Sequence, residues 1–329
     1  MNYSTVIKEM KEGHFAPLYL DQTKEAYFSQ QLIETLKQTF LGEAENFNFF
    51  QFDLSETSMT EVVAEATSYS FFADRKVIIL KQMSALKKEE EALWMDYLSH
   101  LQEEVVILIQ QGDKKLDKRK KWVKQLTKVA LIIEDDELNT AYYEAFIKKH
   151  IQPCMIDFKA IQSLIQRTNG NLLLLSQELE KLVLYKQEGE ITLALVENNV
   201  PATVEHHLFD ISNNIMNRHL KDALDLYHDL LLQGEDTIKM NYLLLMQFRL
   251  YIQVKILMDQ QYSPKKISQI LKVHPYRVEL AYRQVKGQSA LFLGELYSQL
   301  VNIDYELKHS SMDQEMLFEL MLTYLSAYK

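Results

Sequence analysis

Leu131, Ile132 and Ile133 are followed directly by Glu134, Asp135, Asp136 and Glu137, so a short apolar run delivers four carboxylates to one place. Acids at the end of a buried strand hold Mg²⁺ in enzymes that use nucleoside triphosphates. That chemistry also needs a glycine-rich loop whose backbone wraps the phosphates, followed by Lys and Ser or Thr. After the apolar run Pro17 to Leu20 the chain instead reads Asp21-Gln22-Thr23-Lys24-Glu25, with no glycine and an acid opening the helix. No other segment has the required spacing. Residues 134–137 therefore read as a solvated strand end, and no nucleotide-binding residues are assigned.

Other reactive groups are as poorly arranged. Glu205, His206 and His207 are neighbours, and adjacent side chains on a helix diverge by about 100°, so they do not make a one-face metal site. His150 precedes Cys154 by four residues, but the thiol stands near a short strand and reads as buried and inert. Paired carboxylates are too frequent in this acidic chain to single out a catalytic pair, and no catalytic residue and no metal ligand is assigned. The basic run Lys114, Lys115, Lys118, Arg119, Lys120, Lys121, Lys124 and Lys128 offers a phosphate backbone a contact. It also fits, and better, a solvated loop and helix face with Trp122, Val123 and Leu126 turned inward. Residues 263–278, with Ser263 as a cap and Pro264 and Pro275 in first helical turns, spell either a helix-turn-helix DNA reader or an αα-hairpin of a bundle.

One aromatic pair remains. Phe71 and Phe72 stand between a polar helix end and the apolar run Val77 to Leu80, and adjacent side chains cannot both face one core. Either one ring packs beneath the sheet and the other lies along the surface, or the pair plugs an apolar pocket on a partner. Fully burying two Phe side chains contributes about 3–6 kcal/mol, a large share of the ~12 kcal/mol behind a nanomolar complex.

The chain has room for these features on a large core. It has 329 residues, 47% of them apolar, which suggests two or three domains. With eight Gly and five Pro, long flexible linkers are not expected. A net charge of −10 argues against coating DNA by overall field and leaves local basic patches open. One cysteine excludes an internal disulfide and fits a reducing cytoplasm. Charges near the first residues, and the lack of a long apolar run, predict neither a signal peptide nor a membrane span.

Pro17 to Leu20, Phe47 to Phe52, Val77 to Leu80, Val105 to Ile109 and Leu131 to Ile133 read as strands. Glu25 to Phe40, Thr60 to Ala66, Glu90 to Leu101 and Arg119 to Leu126 read as the helices between them, the first with Phe28, Leu32, Leu36 and Phe40 as an apolar stripe. Such alternation predicts an α/β domain with a parallel sheet over residues 1–138. From Asn139 to His206 a small helical domain follows: Asn169-Gly170-Asn171 marks a turn, and the next helix turns Leu175, Leu179 and Leu182 inward and Glu178, Glu180 and Lys181 outward. Residues 207–329 are helical throughout, with Met240 to Met258 apolar nearly all round and so central, or shared with other subunits.

Taken together, several stretches resemble the delta subunit of the bacterial DNA polymerase III clamp loader. They are Pro17-Leu18-Tyr19-Leu20, Ser70-Phe71-Phe72-Ala73-Asp74-Arg75-Lys76-Val77, Lys115-Leu116-Asp117-Lys118-Arg119-Lys120-Lys121, and Gly170-Asn171 with Glu178-Leu179-Glu180-Lys181-Leu182. Phe209-Asp210-Ile211, Ala223-Leu224, Gly234-Glu235, Gln247-Phe248-Arg249, His274-Pro275 and Asp304 with Lys308 continue the series. Each is weak alone; their order and spacing make the match specific.

The resemblance implies a degenerate AAA+/RecA-like domain without a P-loop over 1–138, a lid over 139–206 and an all-α collar over 207–329. It implies no cofactor and no ATP hydrolysis. It places contact with the sliding clamp, the beta subunit, at Ser70, Phe71, Phe72 and Ala73, and so favours the plug. Further implied partners are the loader ATPases and delta-prime, through the collar, and primed DNA, for which Lys118, Arg119, Lys120 and Lys121 are candidate contacts. Thr23 departs from the family, which often has Gly there. A helix-turn-helix regulator remains the alternative.

Overall fold

The structure is a computed structural model and describes residues 1–41, 48–69, 75–111 and 116–327. It divides into two compact units, Met1–Glu137 and Leu138–Lys329.

In the first unit five parallel strands, β1 (Leu18–Asp21), β2 (Phe49–Asp53), β3 (Lys76–Lys81), β4 (Val105–Gln110) and β5 (Leu131–Ile133), lie in the order β2-β3-β4-β1-β5. The central strands are buried on both faces, which is why they are nearly continuous runs of Val, Ile and Leu. Alternation then divides their side chains. Leu18, Leu20, Ile78, Leu80, Ile107 and Ile109 share a core with α3 (Met59–Thr67), α4 (Glu91–Ser99) and α5 (Lys121–Val129). Away from that core, α1 (Tyr3–Lys11) packs on α2 (Ala26–Phe40), where Tyr3 stacks on Phe28 with ring centroids 4.2 Å apart. Leu32 and Leu36 are buried as expected, while Phe40 is only half-buried.

Two expectations shift here. The helix expected from Arg119 begins at Lys121, because the Asp117 carbonyl accepts the Lys120 N–H at 3.0 Å and closes a turn ahead of it. The helix expected over Glu90 to Leu101 ends at Ser99.

The second unit begins with α6 (Thr140–His150), α7 (Phe158–Arg167), α8 (Leu172–Lys186) and α9 (Leu193–Asn199), beside the short parallel pair β6 (Met155–Ile156) and β7 (Glu190–Ile191). Side-chain caps set the helix starts: Asn139, Asp157, Asn171 and Thr192 each accept a first-turn backbone N–H. In the turn before α8, Gly170 has φ +68°, and an added Cβ would lie 2.9 Å from the Tyr276 ring. Only glycine fits there. Glu178, expected to face outward, is half-buried and pairs with Lys181.

The remaining helices are α10 (Val204–Met216), α11 (Leu220–Leu232), α12 (Thr237–Asp259), α13 (Pro264–Leu271), α14 (Pro275–Val285), α15 (Ala290–His309) and α16 (Gln314–Ala327). The long α12 touches α10, α13, α14, α15 and α16, so it is central to its bundle, as its composition predicts. Ile267 of α13 and Val278, Ala281 and Val285 of α14 are buried in the same core, which makes these two helices a hairpin of the bundle.

His274 lies at the joint where α6, the Gly170 turn and α14 meet. Tyr143 Oη donates to the Gly170 carbonyl at 2.6 Å and stands 3.3 Å from His274 Nε2. Burial pushes the His274 pKa down to about 4, and burial with the charges of His207 and Arg167 does the same for His206. Both are therefore neutral in the fold at pH 7. As pH falls through 6.5 the unfolded chain binds protons that the folded chain does not, so stability is lost between about pH 6.5 and about pH 4. The loss amounts to roughly 3 kcal/mol for the pair once solvent screening is allowed for. Urea unfolding at pH 7 and pH 4.5 measures it, and the slope should flatten in a His206→Gln/His274→Gln variant.

Candidate functional site

In open parallel sheets ligands bind beyond the strand C-termini, where the connections diverge to opposite faces. An open cleft of about 1000 Å³ lies there, lined by Asp21, Thr23, Lys24, Ser29, Gln111 and Asp135 among others. The donors nearest the start of α2 are already taken. The Asp21 carboxylate, 3% exposed, accepts the Thr23 N–H at 2.9 Å, the Thr23 hydroxyl at 2.6 Å and the Ser29 hydroxyl. Burial raises its pKa above the usual carboxylate range, and those three donors pull it back. Asp135 Oδ1 accepts the backbone N–H groups of Lys24 at 2.9 Å and Glu25 at 3.3 Å, just ahead of α2.

A helix N-terminus after the first strand is where a phosphate would be bound. Here a carboxylate of the protein stands in that position. Asp53 and Glu134 add further negative charge to the lining, against Lys24 and Lys81. The expectation of a merely solvated strand end is corrected: Asp135 ties down the backbone just ahead of α2, and Asp136 accepts the N–H of Ser4 at 3.2 Å together with its hydroxyl. Thr23 supplies two of the bonds that fix Asp21.

Ser70, Phe71, Phe72 and Ala73, the expected partner contacts, lie outside the described residues. The described residues run up to residue 69 before them and resume at residue 75. Ser68 closes α3 and Lys76 opens β3, and Lys76 is 2% exposed. Its ammonium donates to the Glu65 carboxylate at 2.7 Å, the Glu65 carbonyl at 2.7 Å and the Ser68 hydroxyl at 2.6 Å, with the Ser68 carbonyl 3.2 Å away. Three ammonium protons are thereby used, which meets the hydrogen-bonding needs of a buried Lys. The Arg75 guanidinium lies over the rings of Phe15 and Phe40, at 4.8 and 5.0 Å. Both ends of the segment are thus fastened to the sheet unit. Just inside them Tyr69 is 90% exposed. In the sequence Lys76 looks like an ordinary charged entry to a strand; its burial follows only from the return of α3 over the sheet.

Of the candidate DNA contacts, two are engaged locally. Arg119 meets Asp117 through Nε and Nη2 at 3.0 Å each, and its hydrogen bonds hold the Asp117 pKa down to about 2. Lys120 pairs with Glu91 at 2.8 Å. Lys118 and Lys121 are exposed. Trp122, Val123 and Leu126 are buried as expected. Cys154 is buried and free. Among the described residues no cluster of His, Cys, Asp or Glu could hold a metal ion, and no helix is long and apolar enough to cross a membrane.

Comparison with known proteins places these features. The family described as DNA polymerase III, delta subunit, matches residues 23–135, and the one described as DNA polymerase III delta subunit, C-terminal domain, matches residues 205–325. A middle-domain family matches residues 150–198. DNA polymerase III subunit delta of Bacillus subtilis is 34% identical over 96% of this chain and 95% of its own. The solved structure of the Bacillus subtilis DNA clamp loader delta protein superposes with a TM-score of 0.72 and 33% identity, covering 99% of this chain and 100% of that one.

Three outcomes follow from the geometry. Asp135→Ala, which frees the N–H groups of Lys24 and Glu25, should cost about 1 kcal/mol in urea unfolding. Calorimetry with ATP should detect no binding tighter than about 1 mM in either protein, since three further acids still line the cleft. Lys76→Ala strands the Glu65 carboxylate and both Ser68 acceptors, and should destabilise the fold by roughly 3 kcal/mol.

Proposed function

The chain belongs to the DNA polymerase III delta-subunit family, and from that premise we propose that it grips the sliding clamp with Phe71 and Phe72, flanked by Ser70 and Ala73, and favours an open ring. The work is mechanical. The two rings enter an apolar pocket on one clamp protomer, and the sheet unit behind them selects a clamp shape that no longer closes on its neighbour. The subunit holds the ring open only to the extent that it binds the open form more tightly than the closed one.

In this proposal residues 1–138 form the clamp-binding domain, 139–206 the lid and 207–329 the collar that meets the loader ATPases and delta-prime. ATP bound by those partners sets whether the aromatic segment is presented to the clamp, and the assembled loader then places the clamp on primed DNA in the cytoplasm. The polypeptide itself performs no catalysis and needs no cofactor.

The observation that carries the proposal is the double fastening of the segment, by Lys76 to Glu65 and Ser68 and by Arg75 to two aromatic rings. A plug can transmit force only if its mount does not give. Tyr69, exposed at the start of the segment, supports a surface prepared for an apolar partner.

Replacing Phe71 and Phe72 together by Ala should weaken capture of the organism's own clamp by about 2–4 kcal/mol, a loss of roughly 30- to 1000-fold. Surface-immobilised clamp measures the affinity, and circular dichroism and the melting temperature should stay near wild type. Unchanged affinity would overturn the plug, and a collapse of the fold would return the pair to the core.

A further inference from the structure

Between residues 118 and 128 the chain carries six cations and no acid, within a sequence whose net charge is −10. Arg119 and Lys120 are paired with Asp117 and Glu91. Lys121, Lys124 and Lys128 are exposed on α5 and have no ion pair among the described residues. Spacings of three and four put them on one face, spread over about 10 Å of helix.

Such an arrangement disfavours the helix. Like charges at these spacings cost about 0.2–0.5 kcal/mol per pair, and Lys121 at the helix start opposes the helix dipole, whereas Lys128 in the last turn agrees with it. The first turn of α5 contains no acid to offset Lys121. Elsewhere the chain uses the same spacing to pair opposite charges, as in Lys8 with Glu12, Lys239 with Glu235, Lys255 with Asp259 and Lys308 with Asp304. On α5 the acids are missing, and the inner residues Trp122, Val123 and Leu126 hold the helix against the sheet despite the repulsion.

We infer that the outer face of α5, through Lys121, Lys124 and Lys128, holds the phosphate backbone of nucleic acid without reading its bases. This deepens the proposed function, since it rests on the chain acting at DNA, and it revises the candidate contacts by releasing Arg119 and Lys120. Flexible ammonium groups suit phosphate oxygens, whereas base edges call for a planar fork. Stacking on bases is not available from this helix, because Trp122 is 1% exposed and its indole N–H faces Glu91 at 3.2 Å. An acidic chain also needs a local patch of this kind to approach a polyanion at all.

The test is fluorescence anisotropy of the full chain with a labelled primer–template of mixed sequence, over about 20–200 mM salt. Each neutralised phosphate contributes about 0.9 to the slope of log affinity against log salt. Lys121→Gln/Lys124→Gln/Lys128→Gln should therefore flatten that slope by about 2.7 and weaken binding at least roughly tenfold at about 50 mM salt. Arg119→Gln/Lys120→Gln should change affinity less than about twofold, and a second template sequence should bind equally well. The triple variant should keep its clamp affinity, while Phe71→Ala/Phe72→Ala should keep its DNA affinity, so the two surfaces fail separately. The inference is overturned if the full chain shows no binding at the lowest salt, if the triple variant binds like wild type, if both sets of variants lose affinity alike, or if the triple variant loses the clamp instead, which would make α5 a protein contact.

Discussion

The Asp135 carboxylate on the N–H groups of Lys24 and Glu25 decides what the first unit is able to be. Open N–H groups ahead of a helix attract anions, and in a parallel α/β sheet that position lies where strand order invites a phosphate. An internal carboxylate satisfies the donors permanently and adds a negative charge that repels any phosphate arriving later. It also joins β5 to the start of α2 by a bond no ligand controls. A cleft tied together in this way suits the rigid mount that the proposed plug requires.

Rigidity in the cleft matters for the other end of β3. Lys81 ends the strand beside the cleft, and Lys76 begins it at the foot of the aromatic segment, one short strand away. The strand between them, Val77 to Leu80, is fully buried between β2 and β4. A load applied at residues 70–74 would reach this strand through the Lys76 clasp and the Arg75 stack. Close-packed interiors transmit displacement rather than absorb it, so the proposed plug needs no moving parts of its own.

The layout of the first unit was legible in the sequence because it rests on period and burial alone. Apolar runs at 77–80 and 105–109 are strands to within a residue or two at each end, and 131–133 matches β5 throughout. The missing phosphate loop was legible too, since an absent glycine is a local fact. What replaces the phosphate was not, because Asp135 and Lys24 are far apart in the chain and come together only when β5 pairs with β1. A local sign of the Asp21 bonds does exist: Asp-x-Thr is a common spelling of a side-chain turn. Nothing local marks Lys76, whose partners Glu65 and Ser68 are gathered by tertiary packing. Glu178 misled for the opposite reason, since helical period places it outward and only packing covers it.

The second unit raises a different question, because α12 is more apolar than its burial requires. Met240, Leu244, Phe248, Tyr251 and Val254 fill the core, yet Tyr242, Met246 and Ile256 on the same helix are exposed. On α16 Met316 and Leu320 are exposed one turn apart. A helix that only served a monomer's core would carry charges on its outer side. Apolar residues retained there add nothing to the folding of one chain and carry a risk of aggregation. Assembly through the last helices would remove them from water, which is why the apolar outer side supports the collar role proposed for residues 207–329. The proposed division of labour then follows the chemistry: the sheet unit would present the aromatic segment and a basic helix to the substrate, while the helical bundle would offer its exposed apolar surface to neighbouring subunits.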